Sequence, residues 1–267
     1  MVSGKILGLI RYFGLTAQAK KTKRFLARNG LWPKGGIGYA HRNAAYKLLS
    51  GRGLEVGALH CPANVPANCK VEYCDAHTKE ESIALFPEID RHALVDVDFL
   101  VNLDEEKLSE KVKHPYDFVI LNHVIEHVAN PISVLEQLFA VVRPGGVVII
   151  SAPDKDFTFD KDRQITGFEH LLEEYKQGVT CVDDGHYLDF IRHTAPEIFN
   201  SGDQALIANT LASVRGRREH AHVWDSTAFV DFLNRSIDYL KLSTKTECMI
   251  EGKDTHLECF AVIRKLQ

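Results

Sequence analysis

The six cysteines include no C-x-x-C pair, and most lie in or beside apolar segments. The expectation is therefore reduced thiols in a cytosolic protein, not a zinc module built from Cys61, Cys69 and Cys74. No apolar run approaches the roughly 18 residues that cross a bilayer. The opening lacks a secretory pattern, because Arg11 interrupts its apolar stretch and no clean cleavage site follows. Acid is missing from residues 1–54, which hold eleven Lys or Arg; the remaining 21 basic and all 36 acidic residues come after. A basic arm on an acidic body fits contact with an anionic surface or ligand: a membrane face, a pyrophosphate-bearing substrate or nucleic acid. Residues 1–31 read as one or two basic amphipathic helices, packed on the body or lying on a membrane face.

What is present is ordinary globular composition, 45% hydrophobic and 25% charged over 267 residues, enough for one large α/β domain with insertions. Its organising stretch is residues 116–154, YDFVILNHVIEHVANPISVLEQLFAVVRPGGVVIISAPD. Residues 117–121 are almost wholly apolar, as in a strand covered on both faces. Pro131 suits a first helical turn, and Ile132, Leu135, Leu138, Phe139 and Val142 then recur at the spacing of one apolar helix face. Arg143-Pro144-Gly145-Gly146 stops that helix before a second buried strand at residues 147–150. A strand, crossover and strand of this length is a parallel unit, whose ligands sit beyond the carboxyl ends of the strands.

Upstream, residues 53–57 (GLEVG) read as a strand ending in glycine, with Glu55 inside a buried pattern. Ala58-Leu59-His60-Cys61-Pro62 follows instead of further glycines, so this is not the dinucleotide fingerprint. Residues 71–75 (VEYCD) form a second strand ending in Asp75, placed either to take ribose hydroxyls or to cap the next helix. Residues 94–98 (LVDVD) are read as a third strand ending in Asp98. A polar helix is expected over residues 104–111. The rim would then collect Gly57, Asp75, Asp98 and Asn122, a set suited to a ligand with a ribose, an adenine and a charged tail.

LEVG, the acid-ended second strand, VDVD, YDFVILNHVIEHV and LFAVVRPGGVVIISAPD together resemble the class I S-adenosylmethionine-dependent methyltransferases. The branch most similar is the small-molecule one, of glycan and natural-product type. The resemblance covers residues 51–154 and, more faintly, 220–229. It implies a doubly wound, Rossmann-like sheet of seven mostly parallel strands with an antiparallel edge pair and a helical cap insertion. It implies S-adenosylmethionine as cofactor, with Glu55 and Gly57 flanking the methionine part and Ala58 following in the same turn. Asp75 would hold the ribose, Asp98 would lie near adenine, and Asn122 and His123 under the sulfonium.

The expected organisation is a basic helical arm (1–50), a cofactor-binding core (51–154), a helical substrate cap (155–221) and a C-terminal helix with edge strands (222–267). Within the cap, helices are expected over residues 167–175, 187–199 and 204–213; another is expected over 228–234, and the last strands over 239–243 and 256–264. The candidate general bases are His186 in DDGHY, then His222 in HAHVW, then His123, since an imidazole titrates near neutral pH. Asp160, Asp162, Asp183 and Asp184 read as a surface acidic turn, and no metal ligands are assigned. The polar, histidine-bearing cap together with the basic arm favours O-methylation of a sugar or glycan-type acceptor, nucleotide- or lipid-linked forms included. The alternatives are a methyltransferase-like binding protein without turnover, and methylation of another small molecule or of nucleic acid. Nucleic acid is disfavoured because the body is acidic and Asn122-His123-Val124-Ile125 stands where amino-group enzymes carry an N-P-P-Y type tetrapeptide.

Overall fold

The apolar run at residues 117–121 is the middle of a seven-stranded sheet, in a computed structural model that describes residues 39–267. The basic arm expected over residues 1–31 lies outside the described residues. In chain order the sheet elements are β1 (Gly51–Val56), β2 (Cys69–Asp75), β3 (Phe99–Leu100), β4 (Tyr116–Asn122), β5 (Val142–Pro153), β6 (Thr244–Ile250) and β7 (Glu258–Lys265). Their spatial order is β3-β2-β1-β4-β5-β7-β6, with β1 to β5 parallel and β7 antiparallel to both of its neighbours. This is the expected doubly wound sheet with its antiparallel edge pair.

Alternation along the strands divides the core in two. Leu54, Val56, Val119, Leu121, Val148 and Ile150 face one side, where α4 (Pro131–Val141) supplies Ile132, Leu135, Leu138 and Phe139. Phe118, Ile120, Val147, Ile149 and Phe260 face the other, covered by Tyr46 of α1 (Ala40–Tyr46) and by Leu49. Helix α4 starts where the chemistry says it should. Asn130 caps it by accepting from the Ser133 amide at 3.0 Å, and Pro131 takes the first turn.

Three expectations shift in register. The third strand is not residues 94–98 but Phe99–Leu100, preceded by α2 (Lys79–Leu85) and a loop. The polar helix of residues 104–111 shrinks to α3 (Leu108–Lys111). The penultimate strand begins at Thr244 and not at 239, because the helix before it, α9 (Ser226–Tyr239), carries its buried face of Phe229, Phe232, Leu233 and Ser236 further than the sequence reading allowed.

Between β5 and α9 the chain forms α5 (Phe168–Gln177), α6 (Asp184–Thr194), α7 (Pro196–Phe199) and α8 (Gln204–Arg217). Tyr187, Phe190, Ile191, Ile198 and Val214 give α6, α7 and α8 a small core of their own, which rests on Ala129 at the tip of the β4–α4 junction. A short helix, α10 (Gly252–Thr255), links the edge strands. Among the described residues no helix is long and apolar enough to cross a membrane.

Leu138 is fully buried between α4 and the sheet. Leu138→Ala should therefore cost about 3 kcal/mol in urea unfolding, from lost transfer energy plus the cavity left behind.

Candidate active site

β1 runs into Gly57, whose amide donates to the Cys74 carbonyl at 2.9 Å. Its φ of +69° lies in the left-handed region, and a Cβ there would sit 2.5 Å from Cγ2 of Val124. Glycine is thus required twice, by the turn and by the β4–α4 junction crossing over it. Glu55 is buried one residue inside the strand end, and both its carboxylate oxygens accept from the Ala63 amide at 3.0 Å. Burial raises its pKa to about 7, against the opposing pull of the Ala63 amide and Arg42. Glu55 therefore anchors the loop after Gly57.

β2 delivers Asp75, whose Oδ1 accepts from the His77 amide at 3.2 Å and whose pKa burial pushes upward. Gly57 and Asp75 open into a cleft that is partly open to solvent. Val56, Leu59, Phe86, Val101, Leu103, Val124 and Val128 give it apolar walls, and His77, His123, His127, Arg217, Arg218 and Glu219 supply the remaining polar lining. Both guanidinium groups at this rim are already paired. Arg217 bonds Glu88 and Glu219 at 2.7 and 2.9 Å, and Arg218 binds Asp104.

Of the expected cofactor residues, Gly57, Asp75 and His123 line this cleft, whereas Glu55, Ala58, Asp98 and Asn122 do not. Asp98 is the clear correction. Pairing of β2 with β3 starts only at Cys74 and Phe99, so Asp98 precedes its strand instead of ending it. It is exposed, accepts from the Tyr73 amide at 2.7 Å, and lines a separate surface hollow with Arg52, Glu72 and Tyr116. Asn122 turns towards α1: its Nδ2 donates to the Tyr46 hydroxyl at 2.8 Å and its Oδ1 accepts from Ser151 at 3.0 Å.

His123 follows with φ +53°, an uncommon conformation for a side chain with a Cβ. Its Nε2 lies 2.6 Å from Oε2 of Glu258, a fully buried carboxylate at the start of β7. Glu258 also takes His41 Nε2 at 2.6 Å, Arg42 Nε at 2.6 Å, and a second contact from the Arg42 guanidinium. Burial alone would raise the Glu258 pKa, but the bonds from His123, His41 and Arg42 outweigh it and hold the carboxyl well below the usual range.

The other two candidate bases lie elsewhere. His186, on α6, sits in the cap: its Nδ1 is 3.1 Å from the Ala221 carbonyl and its Nε2 is 3.3 Å from Glu174 and 3.2 Å from His170. The bond to Glu174 raises its pKa. His222 is buried against His186 and Trp224, with ring centroids 5.1 and 5.8 Å away. Neither of its nitrogens makes a well-formed hydrogen bond, although the Val128 backbone faces the ring, and burial drives its pKa well below normal. Neither residue lines the cleft. The acidic turn is spent on structure. Asp183 caps α6, Asp184 pairs with Arg215, and Asp160 binds Arg163 and His220. Cys61, Cys69 and Cys74 form no ligand cluster among the described residues.

The sequence reading missed a group beside the cleft: Glu126, His127 and His220. Glu126 is buried, and its Oε1 lies 3.6 Å from His127 Nε2, 3.9 Å from His220 Nε2 and 4.0 Å from His123 Nδ1. Burial raises the Glu126 pKa and lowers that of His127 to about 3. The visible signal was the acid-imidazole pair Glu126-His127 directly after β4. His220, about ninety residues on, could not be paired with it from sequence.

The sheet order and the cleft at its carboxyl edge are those of a Rossmann-like methyltransferase. A family model described as a methyltransferase domain matches residues 36–234, and the chain belongs to that family. Among solved structures, it is similar to the CurJ carbon methyltransferase at 12% identity and a TM-score of 0.44, covering 85% of this chain but 54% of that one. It is also similar to the N-methyltransferase NodS from Bradyrhizobium japonicum WM9 in complex with S-adenosylhomocysteine, at 8% identity and a TM-score of 0.41, covering 85% of each chain. The plantazolicin methyltransferase BamL, likewise in complex with S-adenosylhomocysteine, is matched at 12% identity and a TM-score of 0.39 over 97% of this chain and 95% of that one. No curated protein matches significantly.

Glu258→Gln should cost about 3 kcal/mol at neutral pH, because it leaves buried donors without their anion. The native pKa of Glu258 lies below its unfolded value of about 4.3, so its contribution is complete above that pH and fades as pH falls below it. Urea unfolding should show a constant gap between wild type and variant from about pH 6 to 8, narrowing below about pH 4.

Proposed function

We propose that this methyltransferase uses S-adenosylmethionine to methylate an oxygen of a sugar or glycan-type small molecule, nucleotide- or lipid-linked. The observation that carries the reading is the convergence of Gly57, Asp75 and His123 on one apolar-walled cleft at the carboxyl ends of β1, β2 and β4. The residues fit the donor. The walls from Leu59, Phe86, Val101 and Leu103 suit an adenine face, and Asp75 offers carboxylate oxygens to the two ribose hydroxyls. Among the described lining residues no guanidinium is left unpaired to oppose a cationic sulfonium, since Arg217 and Arg218 are held by Glu88, Glu219 and Asp104.

Held at Gly57 and Asp75, S-adenosylmethionine would supply an electrophilic methyl carbon for the acceptor oxygen. What the chain must add is alignment and a destination for the hydroxyl proton. His123 is the candidate base, as it alone of the three expected histidines lines the cleft. Glu258 holds the ring by Nε2 and leaves Nδ1 on the side of Glu126. His186 belongs to the cap cleft formed with His170, Asp183 and Asp189, where a polar acceptor would be recognised. The basic arm of residues 1–31 would bring the protein to an anionic membrane face carrying a lipid-linked acceptor.

Calorimetry with S-adenosylhomocysteine should give micromolar binding, weakened on the order of 10- to 100-fold by Asp75→Ala through loss of charge-assisted hydrogen bonds. Absence of heat with the wild-type protein would remove the donor assignment. With labelled donor and a panel of nucleotide- and lipid-linked sugars, His123→Ala should lower kcat by roughly 10²- to 10⁴-fold while retaining S-adenosylhomocysteine binding. His186→Ala should change mainly KM; a larger kcat loss in His186→Ala than in His123→Ala would reverse the roles.

A further inference from the structure

Glu126 poses a problem that methyl transfer does not solve. Its side chain is 1% exposed, and neither carboxylate oxygen makes a well-formed hydrogen bond, although the residue's own backbone amide faces the carboxylate. Leaving such a group unsatisfied costs several kcal/mol in principle, and native proteins avoid it unless an ion or water completes the site. The three imidazole nitrogens facing Glu126 Oε1, at 3.6, 3.9 and 4.0 Å, are too far for hydrogen bonds. They are close to the spacing of ligands around a shared ion: two atoms bound tetrahedrally at zinc distances are roughly 3.4 Å apart.

The tautomers agree. His127 Nδ1 lies 2.5 Å from the Arg218 carbonyl. A carbonyl only accepts, so the proton is on Nδ1 and the Nε2 lone pair faces Glu126. His220 Nδ1 lies 2.6 Å from Asp160 Oδ2, and Asp160 is itself fixed by Arg163 at 2.8 Å. Both rings therefore have the second nitrogen tied to an oxygen, which is how metal-binding histidines are oriented. The backbone adds rigidity, because the Glu126 carbonyl accepts from the Ala221 and His222 amides at 2.8 and 3.0 Å. One ligand atom from each of Glu126, His127 and His220 lies within 4.8 Å of the other two.

We propose that Glu126, His127 and His220 form a binding site for a divalent transition-metal ion of the zinc class. Two imidazoles and one carboxylate suit such an ion and leave at least one position for a non-protein ligand. His127 also lines the cleft, so the site adjoins it. That an acceptor oxygen takes the remaining position rests on the methyl-transfer reading; ion binding does not.

A second trio, His170, Glu174 and His186, has similar spacing, but Glu174 Oε1 already meets both imidazoles at 3.1 and 3.3 Å and His170 is half exposed. It serves as the control. The full chain, stripped with a chelator, is titrated calorimetrically with Zn²⁺, and with Co²⁺ while visible absorption is followed. One ion per chain is expected, with the absorption of tetrahedral or five-coordinate Co²⁺. His220→Ala and His127→Gln should abolish it, His170→Ala should not, and Asp160→Asn should weaken it by roughly 10- to 100-fold. His127→Gln, at the cleft wall, is the variant least exposed to misfolding, and circular dichroism with S-adenosylhomocysteine binding checks the fold of each. No ion bound by the wild type, or binding lost in His170→Ala and kept in a folded His127→Gln, overturns the site. Donor binding without ion binding would sink this inference and leave the proposed function standing; ion binding without donor binding would do the reverse.

Discussion

The fold closes around one buried anion. Glu258 sits at the first position of β7, opposite Pro153 at the end of β5, and is reached by His41 and Arg42 from α1 and by His123 from the turn after β4. Two segments far apart in sequence are thereby fixed to a carboxylate on a third. A charge in that position is tolerable only while its donors are present, so the site's geometry and the sheet's completion depend on each other. The left-handed turn at His123, which points the ring towards the cleft, is one of the features this anchor sustains.

Much of this architecture was legible because its signals are local. β4 and α4 are announced by an unbroken apolar run, a proline in the first turn and a three-and-four apolar face, and all of these are buried as expected. Glu258 was not legible. Nothing in HLECFAVIR distinguishes an acid that gathers two histidines and an arginine from one exposed at a strand end. β3 failed for a related reason. VDVD alternates like a strand, yet Asp98 replaces a ladder bond with its side chain, accepting from the Tyr73 amide, and regular pairing begins one residue later.

The histidines show how far position along the chain can mislead. His186 stands in a polar insertion and His222 just past its border in HAHVW, but the insertion has an apolar core of its own, and His222 packs beside it between His186 and Trp224. His220, two residues earlier, has different neighbours: its Nε2 lies 3.9 Å from Glu126 Oε1. The sequence shows HAH, and only the pairing of this segment with the Glu126 carbonyl decides which imidazole reaches the acid.

The electrostatics of the cleft suit the methyl transfer proposed for it. Positive charge on a sulfonium is lost as the methyl leaves, so a cleft with free cations would oppose donor binding, and one with free anions would favour the donor over the transition state. The chain meets this by neutralising its rim in pairs. Arg217 is held between Glu88 and Glu219, and Arg218 is fixed by Asp104, whose Oδ1 also accepts from the Ala129 amide at 2.8 Å. That last bond ties the rim to the seat of the cap, since Ala129 belongs to the core of α6, α7 and α8. The charge pattern of the cleft and the placement of α6, α7 and α8 are thus set by the same few contacts. A substitution at Asp104 would therefore disturb both: it would take the counter-charge from Arg218, leaving its bond to Asn102 Oδ1 at 3.0 Å, and loosen the junction on which the cap rests.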